Sequence, residues 1–237
     1  MTLYIIHGWT YTVEPWAKTL KILKEEYNID TVMLNVPGLT SPSEKVWTIE
    51  EYAAWADKNL PDGAIALGHS NGGRILLNLL SKNPKKLSFL ILLDAAGVYE
   101  KSFKRGLSKF LSRIFSPLKK IGPLRKVYHK LIGAEDYAHA PENMKKTLAN
   151  VLASDKNLKI DHIPTKTAIL WGRQDKITPP HLAEVMHEKL KNSTLKFYEN
   201  WRHAPYIDDS AGLARAIATA LKSTETPAKK TKPKGRA

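Results

Sequence analysis

Residues 68–73 read Gly-His-Ser-Asn-Gly-Gly. They follow the apolar run 64–67 and precede 74–80, whose apolar positions suit a buried helix. The stretch is therefore a G-x-S-x-G placed between a strand and a helix, and that context says more than the pattern. A strand can pass into a helix this abruptly only through a very sharp turn, which lifts the serine hydroxyl clear of the sheet. Flanking glycines permit the close backbone approach such a turn demands. The helix then begins beneath Ser70, so its unbonded N–H groups and the positive end of its dipole face any negative charge that develops there.

Outward from this turn the chain alternates. Toward the N-terminus, 3–6 reads as a strand ending in His7-Gly8-Trp9, and 14–27 as a helix with Pro15 in its first turn. A second strand spans 31–36 and stops at Pro37-Gly38. Thr48 and Glu51 have the spacing of a capping box for a helix over 49–60. Toward the C-terminus, 89–93 is a continuous apolar run, as a parallel strand covered on both faces requires. Strands at 167–171 and 194–198 alternate with helices at 180–190 and 209–222. This pattern predicts an α/β protein: an open, mostly parallel sheet of about six strands with flanking helices.

Charge divides the 237 residues unevenly. The total is +14, with a pI near 9.7. Residues 98–160 hold 14 Lys and Arg against 5 Asp and Glu, a net +9, and 225–237 add +4. The remainder is nearly neutral. Alternation stops at 98, where basic helical patterns broken by Pro117, Pro123 and Pro141 begin. The sequence thus divides into a core over 1–97 and 161–223, a basic helical insertion over 98–160, and a basic tail over 224–237. The tail lacks large apolar side chains and is expected to be disordered. Both basic stretches imply weak attraction to nucleic acid or an anionic membrane. There are no cysteines, which excludes disulfides and thiolate chemistry. No apolar stretch approaches membrane length, and no secretory pattern opens the chain, so a cytoplasmic location is expected.

A serine hydroxyl needs a base, and the base needs an orienting acid. On an elbow of this kind they follow in the order serine, acid, histidine. Downstream of Ser70, Asp175 lies in the loop after 167–171 and His203 in the loop after 194–198. Both loops are at carboxyl ends of parallel strands, the edge where open α/β sheets build sites. Asp94, at the end of the 89–93 strand, is the competing acid. The backbone N–H of Asn71 would face an oxyanion. Of the other histidines, His7 and His69 flank the two functional turns and read as structural. His129, His139, His162, His181 and His187 form no metal set; His181 and His187 are six apart rather than four.

The elbow, His7-Gly8-Trp9, WGRQDKITP at 171–179 and WRHAPY at 201–206 together resemble the α/β-hydrolase superfamily over nearly all of 1–223. The resemblance implies a helical cap at the place of the basic insertion. It also implies a second oxyanion donor from the loop after the first strand, here the N–H of Trp9. It further implies a shortened core, since the family commonly begins with an extra antiparallel hairpin. One departure is Arg202, where many relatives have glycine before the histidine. The activity implied is cleavage of an ester or related acyl bond of a small-molecule substrate through Ser70, His203 and Asp175, with no cofactor and no metal. Alternatives are a non-catalytic ligand-binding member and a basic adaptor for anionic surfaces. Fold and triad leave the substrate open.

Overall fold

A computed structural model describes residues 1–98 and 140–225, with side chains through 222. Most of the expected insertion and the tail from 226 onward lie outside the described residues. Among the described residues, six strands form one parallel sheet: β1 (Thr2–Ile6), β2 (Asp30–Met33), β3 (Ala64–His69), β4 (Leu87–Leu93), β5 (Lys166–Gly172) and β6 (Ser193–Tyr198). Their order is β2-β1-β3-β4-β5-β6. β2 is shorter than expected because its end folds into a turn. Leu34 N still donates to Ile5 O at 2.9 Å, but the N–H groups of Leu39, Thr40 and Ser41 all converge on the carbonyl of Val36, so the chain turns away from the ladder after Leu34.

Helices cover both faces. One face packs against α1 (Ala17–Tyr27), α6 (Pro205–Asp208) and α7 (Ser210–Glu225). The other packs against α2 (Ile49–Asn59), α3 (Asn71–Lys82), α4 (Glu142–Ser154) and α5 (His181–Lys189). Alternation within each strand feeds the two layers. In β4, Phe89, Ile91 and Leu93 join the first core, while Leu90 and Leu92 join the second. A strand buried on both faces must be apolar throughout, which explains the unbroken run. The capping box forms as expected: Thr48 Oγ1 accepts from Glu51 N at 3.3 Å, and Glu51 Oε2 accepts from Thr48 N at 2.8 Å. Such a cap contributes about 1 kcal/mol to a helix.

α4 lies against the body. Met144, Thr147 and Val151 are buried, and Asn143 and Thr147 hydrogen-bond the loop at Ser43–Trp47. No helix among the described residues is long and apolar enough to cross a membrane. β1 lies between β2 and β3, so the chain reverses its direction of winding there. The carboxyl ends of β1 and β3, His7-Gly8-Trp9 and Ser70, therefore flank the crevice of the sheet.

Candidate active site

Ser70 joins β3 to α3 with φ 50° and ψ −117°, a conformation that non-glycine residues rarely adopt. The surrounding bonds hold it there. Its N–H donates to Leu93 O at 3.1 Å, and its carbonyl accepts from Gly73 N and Ala96 N. Gly72 has no room for a side chain: a Cβ there would lie 2.0 Å from Ile6 O. Close approach of the elbow to β1 is thus what demands this glycine.

The structure brings Ser70, His203 and Asp175 together. His203 Nε2 is 3.0 Å from Ser70 Oγ, and His203 Nδ1 is 2.8 Å from Asp175 Oδ2. Asp175 Oδ1 accepts from the N–H groups of Ile177 and Thr178 at 2.7 and 3.0 Å, while Thr178 Oγ1 donates to Oδ2 at 2.6 Å. Burial alone would push this carboxyl up. The His203 charge and hydrogen bond, then Thr178 and the Ile177 N–H, bring it below its usual value. It is therefore an ionised, buried acceptor facing the imidazole. Since a carboxylate can only accept, the shared proton sits on Nδ1, and Nε2 is left able to take a proton from Ser70.

Asp94 plays a different part. It is fully buried with φ 43°, and its Oδ1 accepts from Gly172 N at 2.7 Å. Among the described residues, no hydrogen-bond partner meets its Oδ2. Burial first, and then the neighbouring Asp175 charge, raise its carboxyl well above the ordinary range. Two carboxylates this close cannot both ionise at low cost. Of the two, Asp94 is the one whose neutral form is favoured, and Asp175 faces the histidine.

The two histidines beside the functional turns hold backbone. His7 is buried; its Nδ1–H donates to Gly8 O and its Nε2 accepts from Thr40 Oγ1, each at 2.8 Å. His69 Nε2–H donates to His203 O at 2.7 Å, tying the serine turn to the histidine loop. Burial and the His203 charge lower His69 to about 3, so it stays neutral. Arg202 pairs with Asp208 of α6. Trp201 is buried, stacks on Tyr198 and donates to Asp209, which anchors the loop carrying His203. Trp9 and Asn71 directly follow Gly8 and Ser70. Sequence reasoning missed Thr178, although Asp-x-x-Thr is a pattern in which an aspartate bonds the N–H groups two and three residues on. It also missed Arg74 and Asp155, which carry no local signature.

The model of the α/β hydrolase fold family matches residues 2–210. The chain is similar to the pimeloyl-[acyl-carrier protein] methyl ester esterase of Neisseria meningitidis, 26% identical over 231 residues and covering 90% of each chain. The Legionella pneumophila protein of the same name is 24% identical over 217 residues, covering 87% of this chain and 89% of that one. Among solved structures, 2-hydroxy-6-oxo-6-phenylhexa-2,4-dienoate hydrolase from Rhodococcus superposes with a TM-score of 0.72 at 17% identity, covering 93% and 90% of the two chains.

Proposed function

The chain belongs to the α/β-hydrolase fold family, and from that premise we propose that it is a serine esterase working through an acyl-enzyme. Ser70 Oγ attacks the ester carbonyl carbon while His203 Nε2 takes its proton. Asp175 keeps the imidazole in the right tautomer and stabilises the imidazolium. The backbone N–H groups of Asn71 and Trp9 receive the negative charge of the tetrahedral intermediate. His203 then returns its proton to the leaving alcohol as the carbon–oxygen bond breaks. Water, deprotonated by His203, then attacks the acyl carbonyl carbon; the bond to Ser70 Oγ breaks, His203 returns the proton to that oxygen, and the acid leaves.

The observation that carries this reading is the unbroken chain from Ser70 Oγ to His203 to Asp175, at 3.0 and 2.8 Å, on a strained turn at the crevice of the sheet. The relatives named above act on a methyl ester of a carrier-bound acyl group, so methyl esters of acyl chains are the substrate class we place first. The net charge of +14 adds, in this reading, a salt-sensitive attraction for anionic partners. The test is incubation with a fluorophosphonate, intact-mass analysis and peptide mapping, followed by a chain-length series of methyl esters, free and carrier-linked. One adduct on Ser70 with turnover of at least one series is expected. An unlabelled Ser70 and no turnover would remove the esterase reading.

A further inference from the structure

Arg74 lies three residues into α3 and is only 4% exposed. A guanidinium taken out of water carries a large penalty unless every donor is matched. Here Nε and Nη2 donate to the two oxygens of Asp155 at 2.7 and 2.9 Å. Asp155 comes from 81 residues later, in the short turn that follows α4. The third nitrogen, Nη1, reaches back along the helix to Asn71 Oδ1 at 2.7 Å.

The chain leaving β4 closes on the same turn of α3. Gly97 sits at φ +118°, and a Cβ there would come within 3.2 Å of Arg74 Cα. Ala96 N donates to Ser70 O at 2.9 Å. The segment that departs at 96–97 and the segment that has returned by 155 thus meet at Arg74. Asn71, where the relay ends, directly follows Ser70 and is itself buried. Because a guanidinium has no acceptor, the amide oxygen of Asn71 must face it. That sets the orientation of the first side chain of α3.

We infer that Arg74 is a positioning residue: the Asp155–Arg74–Asn71 relay fixes the start of α3 against Ser70, and it is complete only when the segment carrying Asp155 is docked. The inference rests on the esterase reading, in which the Asn71 N–H is an oxyanion donor. Donors of that kind must be held within about 0.5 Å of their productive place. Removing one outright lowers turnover about 10²–10³-fold. Loosening one should lower it less, by roughly 10–100-fold.

Two variants test this. The double variant Arg74→Met/Asp155→Leu removes both charges and keeps apolar volume, a replacement that buried ion pairs often tolerate without loss of stability. Asn71→Ala removes only the last link and leaves the ion pair intact. In both, kcat should fall about 10–100-fold with KM within threefold. Affinity for an alkylboronic acid, which forms a tetrahedral anion on the serine, should fall by the same factor. The pH profile of kcat/KM should keep its shape, because His203 and Asp175 are untouched. Arg74→Lys, which keeps the charge without the fork, should fall between wild type and the double variant. A folded double variant with kcat and boronate affinity within threefold of wild type would overturn the inference. Should that variant fail to fold, the same result from Asn71→Ala would overturn it. A wild type that neither labels at Ser70 nor binds the boronate would instead sink the esterase reading and the inference with it.

Discussion

Replacing Asp175 with asparagine should preserve the fold and cripple the enzyme. The amide oxygen can keep the bonds from the Ile177 and Thr178 N–H groups at 2.7 and 3.0 Å. Its NH₂ must then occupy the place of Oδ2, which lies 2.8 Å from His203 Nδ1. A donor there forces Nδ1 to accept, which moves the imidazole proton to Nε2. That nitrogen, 3.0 Å from Ser70 Oγ, can then no longer take the serine proton. Loss of the correct tautomer in a serine–histidine–aspartate site lowers kcat about 10⁴-fold, which corresponds to about 5.5 kcal/mol. Asp94→Asn is the paired control. Burial and the Asp175 charge favour the neutral form of Asp94, and an amide oxygen can accept from Gly172 N as its Oδ1 does. Turnover should fall less than about tenfold, through a small displacement of the neighbouring loop. Hydrolysis of one methyl ester by both variants, each with circular dichroism and a melting curve, decides the matter. A crippled Asp94→Asn beside a nearly normal Asp175→Asn would show that the acid belongs to the end of β4.

Ser70→Ala should abolish the fluorophosphonate adduct and lower turnover about 10³-fold or more with little change in melting temperature, since the three residues act as a unit; full labelling of this variant would refute the nucleophile. Stability should fall in mild acid, because His69 is held at about 3 when folded and titrates near 6.5 when unfolded. The unfolded chain therefore binds a proton below pH 6.5 that the folded one refuses, and burial of His7 acts in the same direction. His69 alone should remove about 2 kcal/mol between pH 6.5 and 5.0 in urea unfolding, and equal stability at both would contradict its neutral burial. Removing 226–237 should leave esterase activity and melting temperature unchanged while weakening retention on heparin at low salt; a truncated chain that fails to fold would show a structural role.

The strands, the helices and the serine turn were legible because each is announced by neighbours in sequence. An unbroken apolar run such as 89–93, set between helical patterns, reads as a strand covered on both faces. Thr48 and Glu51 mark a helix start by bonding groups three residues apart. Ser70 stands out because the sharp turn needs small residues beside it. Asp175 and His203 were legible by a weaker route, through chain order and their place after particular strands.

What the sequence left open between Asp175 and Asp94 is a question of electrostatics. Asp94 directly follows β4, Asp175 lies in the loop after β5, and both are buried in the same neighbourhood. Only the folded chain reveals that Asp175 receives two N–H groups, a hydroxyl and an imidazole, while Asp94 receives one N–H and meets the negative field of its neighbour. The same holds for the relay from Asp155 through Arg74 to Asn71, and for the bond from His69 to the carbonyl of His203. These join residues 81 and 134 positions apart. Sequence alone determined the periodic and local features, whose energetics are set by residues a few places away. Ionisation and positioning at the site were decided by the tertiary structure, because desolvation and hydrogen-bond partners depend on which distant segments the parallel crossovers bring to one edge of the sheet.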